Sequence, residues 1–390
     1  MNKAYKFRIY PNKKQQQCLA QQFGCIRFVY NNALFYRKEL YAADKRHISK
    51  YDLIKRLVLL KTEYPWIKEA DSQALQQSVM QSDTAFKNFF NKKAGFPRFK
   101  NKHSQQSIAY PQRVKVKDNK IYLPKVGWVS IVLHRLYEGT IKTVYVSKAA
   151  SGKYYASLVC YTSTEPTIIK ELDENKVIGI DLGLHDLMVT SHGLATGNPK
   201  FLLKAQINLK RKQQKFSRKT KGSSNQSKAR LSVAKAHERA AAARNHFQHT
   251  WTKRLVDENQ AIIVEDLHVK GMLKNRKLSK AISDASWHSL ITKLEYKLSW
   301  QGKCFKKVDR FYASTKTCNA CGTLQEMPLS QRVYSCSCGW KVSRDTNAAL
   351  NIKKQGIEKL KAAGYTVSAR GGLCKTSSEA TAYEARSLLL

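Results

Sequence analysis

Hydrophobic and polar residues alternate along some stretches of this chain and recur every three or four positions along others. Tyr5, Phe7 and Ile9 alternate with charged residues and predict a half-buried strand, which Pro11 ends. From Lys13 onward the apolar residues follow helical spacing and predict a long amphipathic helix. Its apolar face comprises Leu19, Phe23, Ile26, Tyr30 and Leu34.

A second amphipathic helix is predicted from about residue 71 to 91. Its apolar face, which we expect to lie in the core rather than to bind a ligand, comprises Leu75, Val79, Phe86 and Phe90. Its polar face carries Gln73, Gln76 and Gln77. A glutamine amide can pair with the donor and the acceptor of an adenine edge, so this face either reads a DNA groove or is only solvated.

Residues 95–100 interrupt the helical pattern, and alternating positions then predict strands up to about residue 160. The alternating positions are 114 and 116, 121 and 123, 131 and 133, 144 and 146, and 155, 157 and 159. Turn residues at 118–119 and 151–152 separate them. This pattern predicts a small β-barrel or sandwich. We expect the N-terminal strand to join it, which makes the first helices an insertion.

A polar linker, residues 165–176, leads into a second half in which short apolar runs predict buried strands. These runs cover residues 177–184, 185–190, 261–267 and 304–308. Two of them carry carboxylates near their ends, Asp181 and Glu265. A buried strand does not hold an ionised carboxylate without a partner. Asp181 therefore either faces a metal cation or caps a turn.

The helices predicted for the second half include a strongly basic pair. Residues 204–254 form two helices with a hairpin at 222–225, and we interpret their charge as phosphate-contacting rather than as a solvated face alone. Further on, Ser283 and Asp284 offer an N-cap to another helix. The apolar stripe of that helix comprises Trp287, Leu290, Ile291, Leu294 and Leu298.

The charge of the chain indicates its partner. Across 390 residues, 70 Lys and Arg against 28 Asp and Glu give a net charge of +42, which a polyanion such as nucleic acid would neutralise. No membrane partner is expected, because no run reaches the roughly 18 apolar residues of a spanning helix. The N-terminus lacks the apolar core of a signal peptide. The nine cysteines, mostly scattered, indicate a reducing compartment, so we expect a cytoplasmic protein. In a bacterium, its nucleic-acid partner would associate it with the nucleoid.

Four cysteines form two close pairs, Cys318 with Cys321 and Cys336 with Cys338. A glycine follows each pair, and the pattern predicts one Zn²⁺ in a tetrahedral ribbon; a disulfide or free thiols are the alternatives. The second pair has one intervening residue where two are usual. A closed four-cysteine site is structural rather than catalytic.

A third carboxylate, Asp345, follows the cysteines at the start of a predicted helix. By itself it is a candidate N-cap. Together with Asp181 and Glu265 it completes a set that can hold two Mg²⁺ ions for phosphodiester hydrolysis.

Eight segments carry a resemblance to a known family. In chain order they are KAYKFRIYPNKKQ, GFPRFK, GIDLGL, VEDL, SDASW, STKTCNACG with CSCGW, and SRDTNAALNI. Together they resemble TnpB, the OrfB-type proteins of small bacterial insertion sequences, which are related to the type V CRISPR effector nucleases. The resemblance covers nearly the whole chain apart from its C-terminal tail.

The resemblance implies a multidomain fold, α/β plus β-barrel: a RuvC-like (RNase H-fold) nuclease with an inserted zinc ribbon, behind a wedge-like barrel. The implied ranges are 1–10 and 95–165 for the wedge-like barrel, 11–94 for a helical recognition insertion, 175–312 and 342–366 for the nuclease, 313–341 for the ribbon, and 367–390 for a disordered tail.

The resemblance also implies an RNA-guided DNA endonuclease. Its catalytic residues carry over to Asp181, Glu265 and Asp345 with two Mg²⁺, and its zinc ligands to the four cysteines. Its partners are a guide RNA from the transposon end and double-stranded target DNA, bound by a monomer in a ribonucleoprotein complex. We expect a short adjacent DNA motif to be read by residues of the recognition helices and of the barrel. These residues are Ser72, Gln73, Gln76, Pro111 and Gln112.

Other functions compete with this interpretation. A non-cleaving zinc-ribbon regulator of transposition would use the same carboxylates as caps and core ion pairs. An actin-like ATPase would need further glycine-rich phosphate loops after Asp181, and none follows. A transposase that nicks through Tyr or a His-hydrophobe-His motif is disfavoured because neither kind of site is seen.

Overall fold

The computed structural model describes residues 1–103, 105–328 and 330–368, which form two compact units. The first unit contains residues 1–165 and 208–238, and the second contains residues 166–207 and the described residues from 239 onward. The predicted nuclease range, 175–312, includes residues 208–238, whereas the contacts group this segment with the first unit. Within the described residues, no helix is both long and apolar enough to cross a bilayer.

The first unit is built on a seven-stranded antiparallel sheet. Its strands are β1 (Asn2–Tyr10), β2 (Gln106–Tyr110), β3 (Lys115–Lys117), β4 (Lys120–Leu123), β5 (Gly127–Val132), β6 (Thr140–Lys148) and β7 (Tyr154–Tyr161). Their order is β2-β6-β7-β1-β5-β4-β3, so the N-terminal strand joins the sheet as predicted. Among the described strands β2 and β3 are edges. The sheet is therefore open where the sequence predicts a barrel or sandwich.

Three helices lie between β1 and β2, as the insertion predicted from the sequence requires. They are α1 (Lys13–Asp44), α2 (Lys50–Glu63) and α3 (Ser72–Phe90), with a 3-10 turn at Pro65–Glu69 before α3. The five predicted apolar residues of α1 are all buried, as are Leu75 and Val79 of α3. The prediction for Phe90 is wrong, because its side chain is 65% exposed. In the last turn of α3, Phe86 and Phe90 stack on each other, and Phe86 also contacts Phe96.

The second unit contains a four-stranded sheet of order β10-β9-β11-β12. The strands of this unit are β8 (Glu171–Asp173), β9 (Val177–Asp181), β10 (Val189–Thr190), β11 (Ala261–Glu265), β12 (Cys304–Val308), β13 (Val333–Ser335), β14 (Lys341–Ser343) and β15 (Thr366–Ser368). In the four-stranded sheet β9, β11 and β12 run parallel, and β10 runs antiparallel to β9. Parallel strands bring their carboxyl ends to one edge, so β9 and β11 end side by side.

Helices cover this sheet and extend from it. They are α4 (Phe201–Ser217), α5 (Ser224–Glu258), α6 (Val269–Met272), α7 (Ser279–Ala285), α8 (Trp287–Trp300) and α9 (Arg344–Ala362). The helical pair α4 and α5 confirms the prediction for the basic segment, and each of the two contributes residues to both units. The predicted stripe of α8 is buried throughout.

Three predictions for the second unit are wrong in detail. Asp284 does not cap α8: it lies within α7, where its carboxylate accepts from the Leu202 amide at the start of α4 and pairs with Arg244 at 2.7 Å. The predicted strand at 185–190 shrinks to β10, because the Asp186 carboxylate accepts from the Gly197 amide and holds a loop. The predicted linker contains β8, which pairs in parallel with β15.

The β8–β15 pairing also corrects the predicted tail. Val367 and Ser368 belong to a strand rather than to a disordered segment. The rest of the predicted tail, residues 369–390, lies outside the described residues.

Helix α9 packs against β9 at Gly179, where only glycine fits. A Cβ atom at this position would lie 2.2 Å from the Ala349 carbonyl oxygen and 2.5 Å from the Lys353 amide nitrogen. Both are backbone atoms of α9, so a side chain would force the whole helix away from the strand. A second glycine, Gly356 of α9, makes room for the Ile263 side chain of β11. A Cβ atom at position 356 would lie 2.2 Å from Cδ1 of Ile263.

We predict that Gly179→Ala destabilises the protein by about 1–3 kcal/mol, because the added methyl group overpacks the contact between strand and helix. Gly24→Ala is the matched control. Gly24 lies within α1, and apart from its own helix no described atom lies within 4 Å of the place that a methyl group would take. The same substitution there should stabilise by about 0.5–1 kcal/mol. Urea unfolding of both variants measures the difference, and equal effects of the two would contradict the packing argument.

Candidate active site

The three predicted carboxylates belong to elements that meet at one edge of the second unit. Asp181 ends β9 and Glu265 ends β11. Val264 pairs with Ile180 in the parallel register, so the next residue of each strand is a carboxylate. Asp345 is the second residue of α9, the helix that packs on β9.

Asp345 is not a helix cap. The N-cap of α9 is Ser343, whose hydroxyl accepts a hydrogen bond from the Thr346 amide at 3.1 Å. The Asp345 carboxylate accepts from Nε of Arg344 at 3.3 Å and is 26% exposed. The capping alternative for this residue is therefore wrong.

The carboxylates lie close enough to interact electrostatically. Burial, followed by the charges of Glu265 and Asp345, raises the pKa of Asp181 to about 8, although Arg344 acts in the opposite direction. Burial also raises the pKa of Glu265. Crowded carboxylates with raised pKa values indicate a site short of positive charge, and oxygen ligands of this kind fit a hard divalent cation.

A short loop holds Glu265 from the side of β12. The Ser314 hydroxyl donates to Oε1 of Glu265 at 2.5 Å, and this hydrogen bond lowers the pKa that burial raises. Ser314 is 3% exposed, and its carbonyl accepts from Nδ2 of Asn351 on α9 at 2.8 Å. The same residue thus contacts a carboxylate on β11 and the helix that carries Asp345.

The four cysteines form a cluster whose sulfur atoms all lie within 4.8 Å of one another. The Sγ atoms of Cys318 and Cys338 are 3.7 Å apart, and those of Cys321 and Cys336 are 3.6 Å apart. A tetrahedron of Zn–S bonds places sulfurs about 3.8 Å apart, whereas a disulfide requires about 2.05 Å. The spacing fits a zinc site and excludes the disulfide alternative for these four residues.

The two predicted glycines turn the backbone around the sulfurs. Gly322 and Gly339 both have positive φ angles, 79° and 90°. Their amides donate to the carbonyls of Cys318 and Cys336, which closes each knuckle. The single residue between Cys336 and Cys338 therefore still permits a turn.

Two asparagines of α9 attach the cysteine-bearing segment to the helix. Asn347 is fully buried: its Nδ2 donates to the Thr317 carbonyl at 2.7 Å, and its Oδ1 accepts from Nε1 of Trp340 at 3.1 Å. Asn351 donates to the same Thr317 carbonyl at 2.6 Å. Sequence analysis missed these residues and Ser314. The available signal was two asparagines four residues apart on a face of α9 that otherwise carries Ala348 and Ile352.

The residues predicted to read an adjacent motif lie in the first unit, and the structure brings two of them together. Nε2 of Gln73 donates to Oε1 of Gln112 at 2.8 Å, which joins the start of α3 to the segment after β2. Oε1 of Gln73 has no hydrogen-bond partner among the described residues. Ser72 accepts from Lys61, Gln76 is exposed, and Pro111 is half-buried.

Comparison with known proteins shows which family the chain belongs to. A family pattern described as "Probable transposase" matches residues 158–276, and one described as a Cas12f1-like TNB domain matches residues 287–352. A protein of Streptomyces pristinaespiralis, provisionally named an RNA-guided DNA endonuclease, is 38% identical over 92% of this chain and 90% of its own length. The chain belongs to the TnpB family.

Further matches agree with that assignment to TnpB. The Escherichia coli K12 protein provisionally named RNA-guided DNA endonuclease InsQ is 33% identical over 90% of this chain and 92% of its own length. The chain in a cryo-EM structure of a Cas12f1–sgRNA–target DNA complex shares the fold, with a TM-score of 0.56, 16% identity, and coverage of 90% of this chain and 98% of that one. A pattern described as a helix-turn-helix domain matches residues 1–46, where the structure has β1 followed by the single helix α1.

We predict that Cys318→Ser lowers both the zinc content and the melting temperature, because a structural zinc site contributes folding energy. Cys18→Ser, which removes a thiol outside the cluster, is the control and should leave the zinc content unchanged. Elemental analysis and thermal unfolding measure the two effects. Unchanged zinc in Cys318→Ser would show that the cluster does not hold the metal.

We predict that Asp181→Asn stabilises the protein in Mg²⁺-free buffer at pH 8. An unfolded Asp titrates near pH 4 and folded Asp181 near pH 8, so the folded form binds the proton more tightly. The stability that this tighter proton binding gives the folded protein is fully present below about pH 4 and is lost as the pH rises to about 8. The Asn variant lacks this loss, so its melting temperature should exceed that of the wild type by about 3 °C or more at pH 8 and by less at pH 5.

The control for this measurement is Glu295→Gln, which removes an exposed carboxylate from α8. Its melting temperature should follow that of the wild type at both pH values. A lower melting temperature for Asp181→Asn than for the wild type at pH 8 would show that the carboxylate is paired rather than repelled in the folded state.

Proposed function

We propose that this protein is an RNA-guided DNA endonuclease whose catalytic residues are Asp181, Glu265 and Asp345. The observation that carries the proposal is the meeting of three carboxylates at one edge, on β9, β11 and α9, in a member of the TnpB family. The parallel arrangement of β9, β11 and β12, with β10 antiparallel, supports a RuvC-like nuclease core. Relatives along nearly the full chain carry the provisional name RNA-guided DNA endonuclease.

The donor set fits Mg²⁺. The three side chains offer only carboxylate oxygens, and burial together with the charges of Glu265 and Asp345 raises the pKa of Asp181 to about 8, which a bound cation would oppose. When bound, two Mg²⁺ ions lower the pKa of an attacking water and stabilise the leaving oxygen of a phosphodiester. Because Asp181 holds a proton below about pH 8 in the metal-free protein, cation binding near neutral pH should release it.

The protein supplies the orientation of these groups. The Ser314 hydroxyl fixes one oxygen of Glu265 and leaves the other to a ligand. Gly179 allows α9 to approach β9, which sets the distance of Asp345 from the strands. The role of the cysteine cluster in this proposal is structural, with one Zn²⁺ that holds the segment attached to α9 through Asn347.

Nucleic acid binding rests on the net charge of +42 and on the basic helices α4 and α5. In the proposed complex a guide RNA reads the target by base pairing, and the protein reads only a short flanking motif. The Gln73–Gln112 pair is the basis of the proposed reading role: its hydrogen bond joins α3 to the segment after β2, and Gln112 is exposed, so its amide can reach the edge of a base. Ser72, Gln76 and Pro111 complete the proposed surface.

The test uses protein co-expressed with the DNA that follows its gene. The co-purifying RNA is sequenced, and the complex is challenged with Mg²⁺ and a plasmid library that carries the guide match beside randomised flanks. We predict depletion of one flank by the wild type and by Glu295→Ala, a control carboxylate. Asp181→Ala, Glu265→Ala and Asp345→Ala should retain RNA and deplete none. Gln73→Ala and Gln112→Ala should change which flank is depleted.

The outcomes separate the proposal from its alternative. RNA bound without any flank depleted by the wild type would favour a non-cleaving regulator of transposition. Loss of RNA binding in all three alanine variants would mean that the carboxylates hold the fold instead. Unchanged flank preference in both glutamine variants would remove those residues from the reading surface.

A further inference from the structure

The segment from Asp309 to Ser314, hereafter the 309–314 loop, joins β12 to the cysteine-bearing segment and is anchored beside the carboxylates. At its start, Nη2 of Arg310 pairs with Oδ2 of Asp266 at 2.6 Å, next to Glu265. At its end, Ser314 donates to Glu265 itself. Both ends of the loop are therefore fixed to consecutive residues at the end of β11.

The interior of the 309–314 loop is also ordered by contacts. The Phe311 amide donates to Oδ1 of Asp309 at 2.9 Å, and Tyr312 packs against the core formed by Val177, Ile263 and neighbouring residues. Phe311 itself is 89% exposed and has no ring or cation contact among the described residues. The loop thus presents one aromatic side chain to solvent on a fixed backbone.

Exposure of a single apolar side chain is ordinary and carries no inference by itself. What distinguishes Phe311 is its place, three residues from a side chain that contacts Glu265, in a loop whose other aromatic residue is packed. Exposed aromatic side chains of nucleic-acid-binding proteins act as stacking platforms for unpaired bases, because every base has a π-face. The bases of an intact duplex already stack on one another, so an exposed aromatic ring can stack only on bases of a separated strand.

We propose that Phe311 stacks on a base of the DNA strand that enters the carboxylate site, and so favours a strand that has been separated from its complement. The proposal rests on the proposed nuclease function and adds a positioning residue to it. Arg310 pairs with Asp266, so its guanidinium does not cover the ring of Phe311, which stays exposed.

The test compares substitutions of Phe311 in the complex with guide RNA. Loss of a base–aromatic stack weakens binding by about 10-fold. Phe311→Ala and Phe311→Leu should therefore raise the KM for cleavage by about that factor with a smaller change in kcat, whereas Phe311→Trp should retain the wild-type value. Leu136→Ala, which removes a side chain that is 92% exposed in the first unit, is the control and should change neither constant.

A second readout does not depend on cutting. In the Asp181→Ala background, 2-aminopurine is placed in turn at each position of the separated target strands. We expect fluorescence at one position to be quenched with Phe311 or Trp and restored with Ala or Leu. If Phe311→Leu quenches as strongly as the wild type, the contact is apolar and not a stack. If Phe311→Ala does so, the ring makes no contact with the base. Either result overturns the proposal.

The two proposals fail in distinguishable ways. A wild-type complex that binds target DNA without cutting it would refute the nuclease, and the 2-aminopurine signal would still decide whether Phe311 stacks. A wild-type protein that binds no DNA would refute both.

Discussion

The close contact between α9 and β9 is the constraint on which the candidate site depends. Two of its carboxylates are set by the register of neighbouring parallel strands, which backbone hydrogen bonds fix. The third is carried by a helix, and a helix can be displaced from a sheet without breaking a ladder. Because Gly179 has no side chain, the backbone of β9 contacts the backbone of α9 directly. Because Gly356 has none, the Ile263 side chain packs directly against α9. A larger residue at Gly179 would meet the backbone of α9 and displace the helix together with Asp345.

The same contact has an electrostatic consequence. Burial of Asp181, followed by the charges of Glu265 and Asp345, raises its pKa to about 8, so at neutral pH the folded protein without a cation holds a proton that it would release when unfolded. A site arranged for the stability of the free protein would place a lysine or arginine among these groups. Arg344 partly fills that role, but its Nε already donates to Asp345. In the proposed function this arrangement exchanges stability for a place that binds positive charge, as sites selected for function often do.

Sequence periodicity predicted the elements that alternate or repeat clearly, such as β1, α1, β9, β11 and the stripe of α8. It failed where a long-range contact decides the outcome. Ser343 and Asp345 are both good caps, and only the structure shows that Ser343 takes the position. Asp284 precedes a helix in sequence but serves the start of another helix, 82 residues away along the chain. The strand β2 was missed because three successive residues of it are buried, so that no alternation marks it.

The chain order connects the cysteine-bearing segment, a zinc ribbon in the proposed function, to the candidate site. The cysteine-bearing segment is inserted between β12 and α9, and both of its connections therefore lie at the edge where the strands end. Its first connection contains Ser314, which bonds Glu265, and its second leads through β14 directly into the turn that carries Asp345. Asn347 and Asn351 then bond back from the helix to the start of the ribbon at Thr317. The cysteine-bearing segment is thus joined through the chain and through hydrogen bonds to the elements that carry Glu265 and Asp345.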